Sequence, residues 1–276
     1  MCIAALVFAA VRTRFGDRQG DIMPLADATR TTMKVNKQVE EFTFITLENV
    51  PERVQHVQHE RQRISYRTSI WPAVDTSMLH QPQYKRFLRS DTLRKVRRGA
   101  VGCALSHLTL LEHLVASGAD SMVVVEDDAI FADNFEVLYK EFRAQLPKDA
   151  EYCQFFHHPT MAGQRAKAVQ VSSAVIRSYA PWATTAYWVS SAGARKLLKT
   201  CVPMYNTIDD MYMNEIRRGT IVSYMPSKEL VTRSNMPSNI WSTKIRKQNP
   251  ECAPFHNIWT PALKQAMHDL LAFTLG

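Results

Sequence analysis

The sequence predicts an α/β fold, with a mixed and mostly parallel sheet flanked by helices. Three observations carry this reading. Residues 99–120, GAVGCALSHLTLLEHLVASGAD, repeat apolar side chains with a helical period and lead through a short loop into the apolar run Met122–Val125. The β-rich run Phe42–Leu47 is followed by Asn49, Pro51 and a stretch of helical composition. Residues 184–201, TTAYWVSSAGARKLLKTC, read as strand, turn and helix. Strands alternating with helices bury their apolar faces by layering helices on a sheet.

The chain has 276 residues, 46% of them apolar and 22% charged, which is ordinary for a globular protein and enough for a substantial core. A formal net charge of +8 points to an anionic partner, such as a nucleotide, nucleic acid, acidic glycan or membrane surface. Basic residues are not interleaved with aromatics in the manner of a nucleic-acid module, so nucleic acid is not the expected partner. Cys2, Cys103, Cys153, Cys201 and Cys252 are widely spaced without a CxxC pair, favouring a reduced, cytoplasmic setting over a disulfide framework or zinc knuckle. The opening MCIAALVFAAVRTR has only about ten apolar residues before its first Arg, too few to span a bilayer. No other run is expected to cross a membrane.

Residues 1–40 read as an N-terminal extension, loosely ordered or adding a strand. The main domain is expected over 41–243 and a tail over 244–276. In 84–98, YKRFLRSDTLRKVRR, seven basic residues accompany one acid; this reads as a solvated helix face or a landing strip for an anion. In the next helix, Val101, Ala104, Leu108, Leu111 and Val115 share one side, and Gly118 is a natural C-terminal cap. His107 falls within that apolar side, as a hydrogen-bonded core residue or a catalytic group. EYCQFFHH and TIVSYMP are strands. Ser190 or Ser191 caps the helix after the strand at 184–189. IDDMYMNEIRRG is a helix with Asp209 and Asp210 in its first turn, where carboxylates are favoured. TPALKQAMHDLLAFTLG is an amphipathic C-terminal helix, packed on its own domain, on a partner or on a membrane surface.

The chemistry concentrates in VVVEDDAIF, residues 123–131. A strand covered on both faces ends in Glu126, Asp127 and Asp128. Ligands of open α/β sheets sit at the carboxyl ends of strands. Adjacent carboxylates in a partly dry cleft repel one another unless a cation intervenes, and oxygen-only ligands suit Mn²⁺ or Mg²⁺. Alternation along a strand turns Glu126 and Asp128 to one site and Asp127 to another. The competing reading is a solvated strand end. A metal-dependent phosphohydrolase or nuclease would use the same acids, and a non-catalytic module for an anionic partner would use the net charge.

FITLENVPER, GCALSHLTLLEHL, VVVEDDAIF, TTAYWVSSAGARKLL and IDD, in that order, resemble glycosyltransferase family 25, from about Phe42 to Ile240. The resemblance implies a GT-A-like nucleotide-sugar-binding fold and inverting transfer of a hexose, galactose or glucose, from a UDP-sugar to a glycan or other hydroxyl acceptor. It implies Mn²⁺ on the donor diphosphate, with Asp128 as direct ligand and Glu126 and Asp127 completing the metal shell or holding the donor. It places Thr46, Glu48 and Arg53 near the nucleotide, and Ser106 and His107 near the donor sugar. Asp209 or Asp210 is then the candidate general base. Where the family closes on Ser-Asp-Ile, this chain has Ser238-Asn239-Ile240, so no metal or base role falls on Asn239.

Overall fold

The computed structural model describes residues 40–157, 168–179 and 181–236. All but the last residue of the N-terminal extension, the Ser238-Asn239-Ile240 block and the C-terminal amphipathic helix lie outside them.

Strand β1 (Glu41–Thr46) leads through a short turn into α1 (Pro51–Gln62), whose first position is the proline that pre-sets helical φ. β2 (Arg67–Pro72) returns parallel to β1. Two 3₁₀ turns (Thr76–Met78 and Pro82–Phe87) and the four-residue helix α2 (Thr92–Lys95) then lead to α3 (Arg98–Ser117). The basic segment 84–98 is therefore not one solvated helix. Tyr84, Phe87, Thr92 and Val96 turn inward and pin the chain in short turns, leaving six of its seven cations exposed and Arg97 half-buried.

Helix α3 ends at Gly118, whose φ of 73° supplies the left-handed cap. Burial extends beyond the expected stripe, because Leu105, Ser106, Leu110 and Leu114 are buried too. By length and composition α3 meets the requirements of a membrane-crossing helix, which corrects the expectation that no such run exists. Core helices pass the same test, and 61% of this one's most apolar window is buried in the domain.

After α3 come β3 (Ser121–Glu126), β4 (Ala129–Phe131), α4 (Phe135–Gln145) and β5 (Tyr152–Gln154). The short strands β6 (Val169–Gln170) and β7 (Val175–Arg177) precede β8 (Ala186–Ser190), α5 (Ser191–Cys201), α6 (Ile208–Arg217), β9 (Ser223–Pro226) and β10 (Val231–Arg233). Ser190 caps α5, accepting a hydrogen bond from the Gly193 amide at 3.0 Å.

The main sheet has the order β2-β1-β3-β8-β5-β9-β7-β6. β8 and β7 run against the other six strands, so the sheet is mixed and mostly of one direction. β10 pairs with β4 in a separate antiparallel ribbon. The central strand β3 is covered on both faces, as its uniform apolarity predicts. Met122 and Val124 join α3, α5 and α6 in one core through Leu105, Leu108, Leu197 and Met211. Val123 and Val125 join Phe42, Phe44, Phe135, Tyr139 and Phe142 in the other.

Candidate active site

The carboxyl end of β3 meets the start of antiparallel β8, where the Glu126 amide donates to the Thr185 carbonyl at 2.8 Å. The strand stops at Glu126. Asp127 and Asp128 form the turn into β4, so the alternation expected from a continuing strand is lost. Each of the three acids takes its own partners.

Glu126 turns toward α3. Its Oε1 lies 3.0 Å from His107 Nε2 and accepts from the Thr184 hydroxyl at 2.6 Å. His107 is 1% exposed, and its Nδ1 is 2.9 Å from the Tyr187 hydroxyl. Burial pushes the Glu126 carboxyl up, but the hydrogen bond and charge of His107, with the Thr184 bond, hold it below its ordinary value.

Asp127 turns toward β1. It accepts from Arg53, from the Thr46 hydroxyl at 3.3 Å and from the Leu47 amide at 3.4 Å. Its pKa is raised, chiefly by burial, against the opposing charge of Arg53. Thr46 and Arg53 are thus tied to the acid cluster. Glu48 lies exposed in the turn between β1 and α1.

Asp128 turns toward the ribbon. Its Oδ2 accepts from Arg233 Nη2 at 2.8 Å and Nε at 3.2 Å. Its Oδ1 is buried without a hydrogen-bond partner among the described residues. Burial and the neighbouring Glu126 charge raise its pKa, against Arg233. Asp209, in the first turn of α6, belongs to the same electrostatic field. Burial raises its pKa first, and the charges of Asp210 and Glu126 add to that. Its Oδ1 accepts from the Thr207 hydroxyl at 2.5 Å and the Asp210 amide at 3.1 Å. Asp210 is half-buried beside it.

The GCALSH motif divides its labour. Gly102 lets α3 approach the β2 loop, because a Cβ there would stand 2.4 Å from the Val74 carbonyl oxygen. The Ser106 hydroxyl accepts from the Val74 amide at 2.7 Å and donates to the Gly102 carbonyl at 2.8 Å. Fully buried and doubly engaged, Ser106 fastens the loop. His107 positions Glu126.

Sequence reasoning missed Arg233, Thr184 and Tyr187. Thr184 and Tyr187 lie in the TTAYWV block, whose pattern marks a strand but not which side chains reach β3. Nothing local distinguishes Arg233 from other basic residues.

An all-oxygen set of carboxylates, one with a buried oxygen that has no partner among the described residues, fits a hard divalent cation in donor type. The fit is one of donor chemistry alone, since Glu126 and Asp128 are both carboxylates.

Residues 40–213 match the description Glycosyltransferase family 25 (LPS biosynthesis protein). The chain is 32% identical over 173 residues to "Probable inactive glycosyltransferase 25 family member 3" of Bos taurus, covering 58% of this chain and 28% of that protein. It is 28% identical over 163 residues to "Procollagen galactosyltransferase 1" of Danio rerio, covering 54% and 26%. The chain thus spans well under half the length of these relatives. Among solved structures, glucosyl-3-phosphoglycerate synthase from Mycobacterium tuberculosis, in complex with Mn²⁺, UDP and glucosyl-3-phosphoglycerate, aligns with a TM-score of 0.36 and 14% identity, over 76% of this chain and 80% of that one. With the family match running through the acid cluster and into α6, the chain belongs to glycosyltransferase family 25.

Proposed function

We propose that this GT-A-like domain is a metal-dependent glycosyltransferase, transferring a hexose from a UDP-sugar to a hydroxyl of a glycan or glycoconjugate with inversion at the anomeric carbon. The observation that supports it best is the acid cluster at the carboxyl end of the central strand, with Asp128 Oδ1 buried and, among the described residues, without a hydrogen-bond partner. Asp128 and Glu126 would hold Mn²⁺ or Mg²⁺. When bound, such an ion neutralises a donor diphosphate and stabilises the departing nucleotide.

The remaining roles fall to the chain's own groups. His107 and Thr184 keep Glu126 ionised and fixed in direction. Arg53 and Thr46 hold Asp127 at the turn after β1, where a nucleotide would lie. Arg233 offers a guanidinium for developing negative charge. Asp209, its affinity for protons raised by burial, takes the proton from the acceptor hydroxyl. The basic residues of 84–98 attract an anionic donor or acceptor.

A second reading is favoured by the ion pair between Arg233 and Asp128. A guanidinium already supplies positive charge to the candidate ligand, and such a module would bind an anionic partner without turnover. UDP release from a panel of UDP-sugars, with and without Mn²⁺, separates the two. Metal-dependent hydrolysis or transfer from one donor, lost in Asp128→Ala, supports the enzyme. No turnover of any nucleotide-sugar supports the module. The anomeric configuration of the product, read by NMR, tests inversion.

A further inference from the structure

Behind the acid turn, three side chains of different chemistry converge. Cys103 and His107 stand one turn apart on α3, a spacing that puts both on one face of the helix. β3 brings Glu126 to the same place. Cys103 Sγ, a His107 ring nitrogen and a Glu126 oxygen lie within 4.8 Å of one another. Within that set, Glu126 Oε1 is 3.0 Å from His107 Nε2 and 3.9 Å from Cys103 Sγ.

Thiol, imidazole and carboxylate form a donor set for a borderline-soft ion such as Zn²⁺, and a poor one for Mg²⁺ or Ca²⁺. The outer contacts match that use. The Tyr187 hydroxyl engages His107 Nδ1 and leaves Nε2 facing Glu126, and the Thr184 hydroxyl orients the carboxylate. Supports of this kind fix a histidine ligand's orientation and tautomer. Three protein ligands also leave a fourth tetrahedral position for water or substrate.

We propose that Cys103, His107 and Glu126 form a binding site for a thiophilic divalent cation of the Zn²⁺ class, separate in donor chemistry from the all-oxygen site at Asp128. Binding breaks the Cys103 S–H bond, forms a metal–sulfur bond and releases the proton to solvent. Glu126 is common to both sites, so an ion held by Cys103 and His107 withdraws Glu126 from Asp128. The site goes beyond glycosyl transfer and stands whether or not the domain turns over a nucleotide-sugar.

The test is titration of the chelator-treated full chain with Co²⁺, a spectroscopic stand-in for Zn²⁺. A sulfur-to-cobalt charge-transfer band that saturates at one equivalent and is displaced by Zn²⁺ is expected. In Cys103→Ser the band disappears, and Zn²⁺ affinity, read by competition with a chromogenic chelator, falls at least about tenfold; Glu126→Gln weakens it similarly. Circular dichroism confirms that each variant is folded. A wild-type cobalt spectrum without a sulfur band overturns the proposal and requires no variant to fold. A band that persists in Cys103→Ser overturns it too, because the thiolate then comes from another cysteine.

Discussion

Arg233 and Asp128 meet where β10 and β4 pair, with Nη2 and Nε both donating to Oδ2 while Oδ1 has no partner among the described residues. The pair joins a strand edge far along the chain to the turn after β3. Because the Arg233 side chain is 40% exposed, solvent screens the attraction, and Arg233→Met is expected to cost only about 1 kcal/mol of stability. Denaturant unfolding measures this. A much larger loss would mean that the ribbon itself depends on the pair.

Tyr187→Phe tests the other arm of the cluster. It removes the hydroxyl from His107 Nδ1 without changing the ring that packs on Tyr152, whose centroid is 4.9 Å away. A buried polar atom left unsatisfied costs about 1–3 kcal/mol. Unfolding free energy should fall by that amount, with the far-UV spectrum unchanged. An unchanged stability would show that the Nδ1 contact is replaced by water.

Gly102→Ala isolates the close approach of α3 to the β2 loop. The added Cβ meets a backbone carbonyl oxygen, Val74 O, which cannot rotate away as a flexible side chain does. Overpacking of this kind costs about 1–3 kcal/mol, and the Ser106–Val74 bond should open with it. Hydrogen exchange at the Val74 amide reads that opening directly. A Val74 amide as protected as in the wild type would show that the helix shifts without disturbing the loop.

These variants also mark where the sequence was legible. The helix at 98–117 and strand β3 show themselves through period and uniform apolarity, and the structure adds mainly the greater burial of α3. The identity of the acids was plain, but not their directions. An alternation rule holds only while the strand continues, and here it stops at Glu126. Ser106 and His107 sit side by side in one motif, yet one fastens a loop and the other holds a carboxylate. Only the position of Val74 and of β3 separates those roles. Arg233 was invisible because its meaning depends on the pairing of β10 with β4, a contact between residues 105 apart along the chain.

Asp209 combines a stability prediction with a catalytic one. Its folded pKa is raised, first by burial, so the folded chain holds this proton more tightly than the unfolded chain does. The stabilisation linked to that proton is complete below the unfolded carboxylate pKa and is lost as pH rises through the raised folded value. Asp209→Asn removes the ionisation while its side-chain oxygen can still accept from Thr207 and the Asp210 amide. Its melting temperature should therefore match the wild type in acid and exceed it near neutral pH. If Asp209 is also the base, the same variant loses about 10²–10⁴ in kcat, and the wild-type acid limb of kcat/KM lies above the usual carboxylate range. Asp210→Asn should not reproduce the loss in kcat. Stabilisation of Asp209→Asn without loss of turnover would keep the electrostatic account and move the base elsewhere, whereas loss of turnover in Asp210→Asn alone would assign the base to its neighbour.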